Sequence, residues 1–139
     1  MKVQCYHFTK NGTASALAEK MARHFQLKCD KIPPSFQPER EAVVFIITEP
    51  DGTPESALLK FLNTLTADKT KTVAFAMVGG GDKGLDKMKD AIKDDKVKVH
   101  DNVFMCEVQK KMFKGKFVSD EDTQKAIDWA QEIIDSLRA

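Results

Sequence analysis

Ala42-Val43-Val44-Phe45-Ile46-Ile47-Thr48 is apolar at nearly every position, the composition of a strand covered on both faces. Pro50-Asp51-Gly52-Thr53-Pro54 breaks the run, and Ala57, Leu58, Phe61, Leu62 and Leu65 then recur at helical spacing. A second continuous apolar run occupies residues 72–78 and ends at Gly79-Gly80-Gly81-Asp82. Two strands buried on both faces and joined through a helix form the crossover unit of a parallel sheet.

The same alternation extends in both directions. Residues 3–8 read as a first strand closed by the turn cluster Thr9-Lys10-Asn11-Gly12. Ala14, Leu17, Ala18, Met21, Ala22 and Phe25 then mark one face of a helix. Residues 27–32 are a weaker strand candidate stopped by Pro33-Pro34, and 33–41 read as loop. Beyond the glycines, Leu85, Met88 and Ile92 predict a helix, and 97–99 with 103–108 a broken final strand. Ser119 is a good N-cap, followed by Asp120, Glu121 and Asp122 where a helix dipole favours negative charge. The last helix carries Ala126, Ile127, Ala130, Ile133, Ile134 and Leu137 on one face.

The order reads as β-α repeated five times, with no internal repeat or linker, so residues 1–139 are expected to form a single domain. The expected fold is a three-layer α/β/α sandwich around a five-stranded parallel sheet in the order 2-1-3-4-5. Its first and last helices should share one face. Ligands of such sheets bind beyond the carboxyl ends of the strands, near the point where strand order reverses. The informative loops are therefore those after Phe8, Thr48, Val78 and Val108.

Composition narrows the function. The chain has 139 residues, 42% of them hydrophobic and 31% charged, with a formal net charge of +1. That length supports a real core, since folding removes roughly two-thirds of the surface of a chain this size from water. The balanced charge argues against a basic nucleic-acid binder and a strongly acidic carrier. No apolar run approaches the roughly 20 residues needed to span a bilayer, and the start lacks a secretory pattern. Cys5, Cys29 and Cys106 are widely spaced with no C-x-x-C pair, which reads as buried thiols in a reducing, cytoplasmic setting.

Thr9-Lys10-Asn11-Gly12-Thr13-Ala14 runs from a strand directly into a helix. Main-chain N–H groups at a helix start, with two hydroxyls and a glycine, are the ingredients of a phosphate cradle. An ordinary β-α turn with a hydroxyl cap uses the same residues. Gly79-Gly80-Gly81-Asp82-Lys83-Gly84 permits close main-chain approach to a flat ligand, or serves as a flexible turn with Asp82 capping the following helix.

Together these loops resemble those of the flavodoxins, which hold FMN and transfer single electrons. The family's phosphate motif aligns with Thr9-Lys10-Asn11-Gly12-Thr13-Ala14 and Ala18. Its second flavin loop resembles Thr48-Glu49-Pro50-Asp51-Gly52-Thr53-Pro54, and its third Gly79-Gly80-Gly81-Asp82. Trp129-Ala130 in the last helix also look familial, and the length suits the short-chain type. The resemblance implies an FMN-binding electron carrier with a redox partner protein and no bond-making chemistry of its own. Thr9, Asn11, Gly12 and Thr13 would hold the phosphate, with Lys10 and Ala14 in the same loop. Thr48, Glu49, Pro50, Asp51 and Gly52, with Gly79, Gly80, Gly81 and Asp82, would frame the ring. Glu49, Asp51 and Asp82 would lower the flavin potential by opposing negative charge on its reduced form.

The loops also depart from the family pattern. The usual stacking aromatics are absent, Glu49-Pro50 and Leu85 standing where the second and third loops present them. Ala14 replaces the last phosphate-loop threonine, and Ser15 is turned about 100° away on the helix. An aromatic restored at Leu85 or Pro50 is expected to tighten FMN and riboflavin alike, and Ala14→Thr to help FMN only. Two alternatives follow. One is a flavodoxin-fold interaction module that has lost flavin. The other is a small flavin-dependent reductase using residues 110–116.

Other candidates have simpler readings. His7 ends the first strand beside the cradle, where a core or edge histidine is more common than a ligand. His24 and His100 lack ligand-spaced neighbours, so no metal site is expected. Cys5, Cys106, Met88, Met105 and Met112 read as core residues. Lys110-Lys111-Met112-Phe113-Lys114-Gly115-Lys116-Phe117 is basic with interleaved aromatics. It reads as a solvated excursion after the last strand, with too few charges for specific nucleic-acid binding. A dinucleotide fold would need G-x-G-x-x-G after the first strand. A receiver domain would need an acidic pair there and an Asp after the third strand.

Overall fold

The computed structural model describes residues 2–113 and 115–138. The elements in chain order are β1 (Val3–Phe8), α1 (Thr13–Phe25), β2 (Cys29–Lys31), β3 (Val43–Thr48), α2 (Ser56–Asn63), β4 (Thr72–Val78) and α3 (Leu85–Ala91). They continue with β5 (Lys98–Val99), β6 (Phe104–Cys106), β7 (Gln109–Lys111), β8 (Gly115–Phe117) and α4 (Asp120–Arg138). The main sheet is parallel in the order β2-β1-β3-β4-β5, with β6 also paired to β4. Counting β5 and β6 as two pieces of one fifth strand, this is the 2-1-3-4-5 order of a flavodoxin-like α/β/α sandwich.

Every residue of β3 and β4 is buried, because helices cover both faces of the sheet. One layer packs Leu17, Ala18 and Met21 of α1 and Ala126, Ala130 and Ile133 of α4 against Cys5, Phe45 and Ile47. The other packs Leu58, Phe61 and Leu62 of α2 and Met88 of α3 against Tyr6, Ile46 and Phe75. Trp129 anchors α4: its ring lies edge-on to Phe45 at 5.4 Å, and its indole N–H donates to the Asn102 carbonyl at 2.8 Å. Ser119 caps α4 as its residue type predicts, its hydroxyl accepting from the Asp122 N–H at 3.0 Å.

Three expectations need correction. Among the described residues four helices cover the main sheet rather than the five that a β-α order repeated five times implies; 33–41 returns from β2 to β3 without a helix, as its loop reading expected. Residues 109–117 include an antiparallel hairpin, β7 with β8. Its paired residues are mostly exposed, so no apolar alternation announces it. Lys114 lies outside the described residues. Met88 is core, but Met105 is 46% and Met112 83% exposed: Met105 turns outward between buried Phe104 and Cys106, and Met112 sits at the hairpin turn. No described helix is long and apolar enough to cross a membrane.

Candidate functional site

In parallel register, Phe8 of β1 lies beside Thr48 of β3. The next residues, Thr9 and Glu49, therefore emerge side by side at the carboxyl edge of the sheet, where strand order reverses. Thr9 begins the turn into α1. Gly12 adopts φ 88° as the α1 N-cap, a left-handed geometry that costs a side-chain-bearing residue roughly 1–2 kcal/mol. Two local bonds shape the loop: the Gly12 N–H donates to the Thr9 hydroxyl at 2.8 Å, and the Thr13 N–H to Asn11 Oδ1 at 3.1 Å.

The centre of this loop receives the Glu49 carboxylate. Its Oε1 accepts from the N–H groups of Lys10 at 2.8 Å and Asn11 at 3.1 Å. Its Oε2 accepts from the Thr9 hydroxyl, and from the Ala14 N–H at 3.2 Å. The Thr13 hydroxyl lies 3.2 Å from Oε2 and 2.7 Å from Asn11 Oδ1, so these two acceptors share its proton. Five donor groups thus converge on one carboxylate at the N-terminus of α1, where the dipole also favours negative charge. Burial pushes the Glu49 carboxyl up, but the hydrogen bonds from Thr9, Lys10, Ala14 and Asn11 outweigh it and hold the group below its ordinary value.

Lys10 does not add its charge to the cradle. Its ammonium pairs with Asp51 and lies 3.4 Å from Glu55, which raises the Lys10 pKa and lowers that of Asp51. Ser15 bonds back to the Gly12 carbonyl at 3.1 Å, pointing away from the cradle. Ala14 offers its N–H, but its side chain is fully buried in the α1–α4 layer.

The second and third loops are clasped together. The Asp51 N–H donates to the Lys83 carbonyl at 3.1 Å, and Lys87 Nζ donates to the Gly52 carbonyl at 2.8 Å. Gly84 has φ 81° and is the N-cap of α3, in place of the Asp82 cap expected from sequence. Gly79, Gly80 and Gly81 have φ values of 100°, 102° and 95°, a run of left-handed geometry that sequence reading allowed for. The Gly79 N–H donates to the Cys106 carbonyl at 2.8 Å. Leu85 is not presented to any slot between these loops; it is 6% exposed and packs in the α2–α3 layer. Half-buried Pro50 remains at the edge. A narrow cleft of about 10 Å³, room for about one water, lies beside the cradle, lined by Phe8, Lys10, Thr48, Glu49, Asp51 and Lys83 among others.

His7 shares the sheet face of Cys5 rather than that of Tyr6, so it lies on the α1 side and away from this cleft. Its buried Nδ1 has no hydrogen-bond partner among the described residues, and burial lowers its pKa. Among the described residues no group of three or more His, Cys, Asp or Glu is arranged to hold a metal ion. Sequence reading missed Glu49 as the occupant of the cradle. The signal was available: once β1 and β3 are neighbours in parallel register, the first residue past each strand must meet. No protein-family model matches the chain, and no curated protein is significantly similar to it.

Proposed function

We propose that this chain is an FMN-binding electron carrier of the flavodoxin-like class, with the phosphate held in the Thr9–Ala14 loop. The observation that carries the reading is the convergence of five donor groups on the Glu49 carboxylate. A carboxylate is a planar stand-in for two of the oxygens of a phosphate, and a donor set built for one suits the other. In the liganded protein Glu49 withdraws. The hydroxyls of Thr9 and Thr13 and the amides of Lys10, Asn11 and Ala14 then hold the phosphate. When bound, the flavin supplies the redox chemistry. Thr48, Pro50, Asp51 and Gly52, with Gly79, Gly80, Gly81 and Asp82, orient the ring through main chain. The β7–β8 hairpin, springing from Val108 beside Gly79, offers exposed Met112 and Phe113 to a redox partner.

A second reading, a flavodoxin-fold interaction module without flavin, is favoured by the clasp of Asp51 on Lys83 and Gly84. That clasp joins the two loops that would hold the ring. Titration of the purified protein with FMN and with riboflavin, followed by flavin fluorescence and absorbance near 450 nm, separates the readings. The electron-carrier reading requires FMN to bind at least tenfold tighter than riboflavin, because only FMN fills the cradle. Absence of binding by either flavin at high micromolar concentration leaves the interaction module.

A further inference from the structure

We propose that Cys5 and Cys29 form a redox-sensitive dithiol that closes to an intramolecular disulfide when the protein meets a small peroxide. The two cysteines are 24 residues apart, and the fold makes them partners. They are directly opposite in the parallel pairing of β1 with β2, so their side chains share one face of the sheet. Neighbouring strands lie about 4.8 Å apart, within the roughly 4.4–6.8 Å Cα separation that a disulfide bridges. The Cys29 thiol already donates to Cys5 Sγ at 2.8 Å, so the sulfurs meet without rearrangement of either strand.

The two sulfurs differ in access, which sets the order of events. Cys29 is half-buried on the edge strand, whereas Cys5 is 1% exposed beneath α1. Burial beneath α1, with Cys29 as its close neighbour, raises the Cys5 thiol well above its ordinary value, keeping it protonated. Cys29 is therefore the sulfur a peroxide reaches first. Its attack breaks the O–O bond, leaves Cys29 as the sulfenic acid and releases the first water. Cys5 sulfur then attacks Cys29 sulfur: the S–S bond forms, the S–O bond breaks, and the Cys5 proton leaves with the hydroxide as the second water. Two electrons pass from the sulfurs to the peroxide. Cys106, on β6, is separated from Cys5 by β3 and β4. Three strand spacings of about 4.8 Å place it beyond bridging distance, so it serves as an internal control.

This inference stands apart from the flavin reading and is tested without flavin. The full chain is treated with hydrogen peroxide, quenched, denatured and alkylated, and its intact mass and tryptic peptides are measured. The expected result is a monomer that carries one alkyl group, on Cys106, and is otherwise lighter by two hydrogens, with Cys5 and Cys29 peptides joined, whereas dithiothreitol before alkylation restores all three thiols. In Cys29→Ser, Cys5 should stay alkylatable throughout the same treatment. The proposal is overturned by retention of all three thiols, by a disulfide between two molecules, or by Cys29 proceeding to sulfinic acid while Cys5 stays free. Loss of Cys5 in Cys29→Ser at the wild-type rate overturns it equally.

Discussion

Gly84 stands so close to Asp51 that a β-carbon added at Gly84 would lie 2.0 Å from the Asp51 carbonyl oxygen and 2.9 Å from the Pro54 ring. The loops after β3 and β4 are pressed together at this point, and only glycine allows it. Its φ of 81° independently disfavours any side chain.

Gly84→Ala is therefore expected to lower the unfolding free energy by at least about 2 kcal/mol, combining left-handed strain with a main-chain clash. Urea denaturation measures this. Gly80→Ala, at φ 102° but with nothing within 4 Å of the added carbon, carries the strain without the clash and should cost about 1–2 kcal/mol. Equal losses in the two variants would show that the Asp51 contact has no weight.

Leu85→Tyr distinguishes the structure from the expectation raised by loop alignment. Alignment places residue 85 where a ring would stack on flavin, whereas the side chain is packed among Leu58, Met88 and their neighbours. Enlarging it should cost about 1–3 kcal/mol through overpacking and leave flavin affinity unimproved. Half-buried Pro50 keeps its expectation: Pro50→Trp should tighten FMN and riboflavin several-fold, since an aromatic contact adds roughly 0.5–1.5 kcal/mol. Ala14→Thr should cost stability as well, because the Ala14 methyl sits at 0% exposure in the opposite layer. Thermal melts and paired flavin titrations report both effects.

These corrections show what was legible in the sequence. The doubly covered strands β3 and β4 announced themselves by unbroken apolar runs, and with them the parallel sheet and its order. The start of α4 was readable from Ser119 and three acids. Contacts between loops were not. Glu49 meets Lys10 and Asn11 across 39 and 38 residues, and Cys5 meets Cys29 only once β2 pairs beside β1. Nothing in local spacing encodes such meetings; they follow from strand order and register. The β7–β8 hairpin was hidden because both its faces are wet.

Acid should weaken the Glu49 lock. The carboxyl is held below its ordinary value in the folded protein, so its contribution to stability is fully present above the unfolded value of about 4.3. It is lost as pH falls through the lower folded value. At neutral pH Glu49→Gln should cost about 1 kcal/mol, a figure reduced by partial exposure to solvent. Below pH 4 the difference from wild type should narrow. Inorganic phosphate should stabilise the variant more than the wild type, because an anion that binds only the folded state raises its stability. Thermal melts at pH 3, 5 and 7, with and without phosphate, test the sign of each statement.

The most direct measurement is an FMN titration of wild type against Glu49→Gln. A ligand that must first displace a bound side chain loses apparent affinity in proportion to the fraction of open cradle. If the closed arrangement is favoured by about 1.4 kcal/mol, removing the charge should tighten FMN about tenfold. Riboflavin, which has no phosphate to compete with Glu49, should bind the two proteins alike. A tenfold gain confined to FMN is the result predicted. FMN binding that is unchanged or absent in both proteins would contradict the assignment of the Thr9–Ala14 loop as a phosphate cradle.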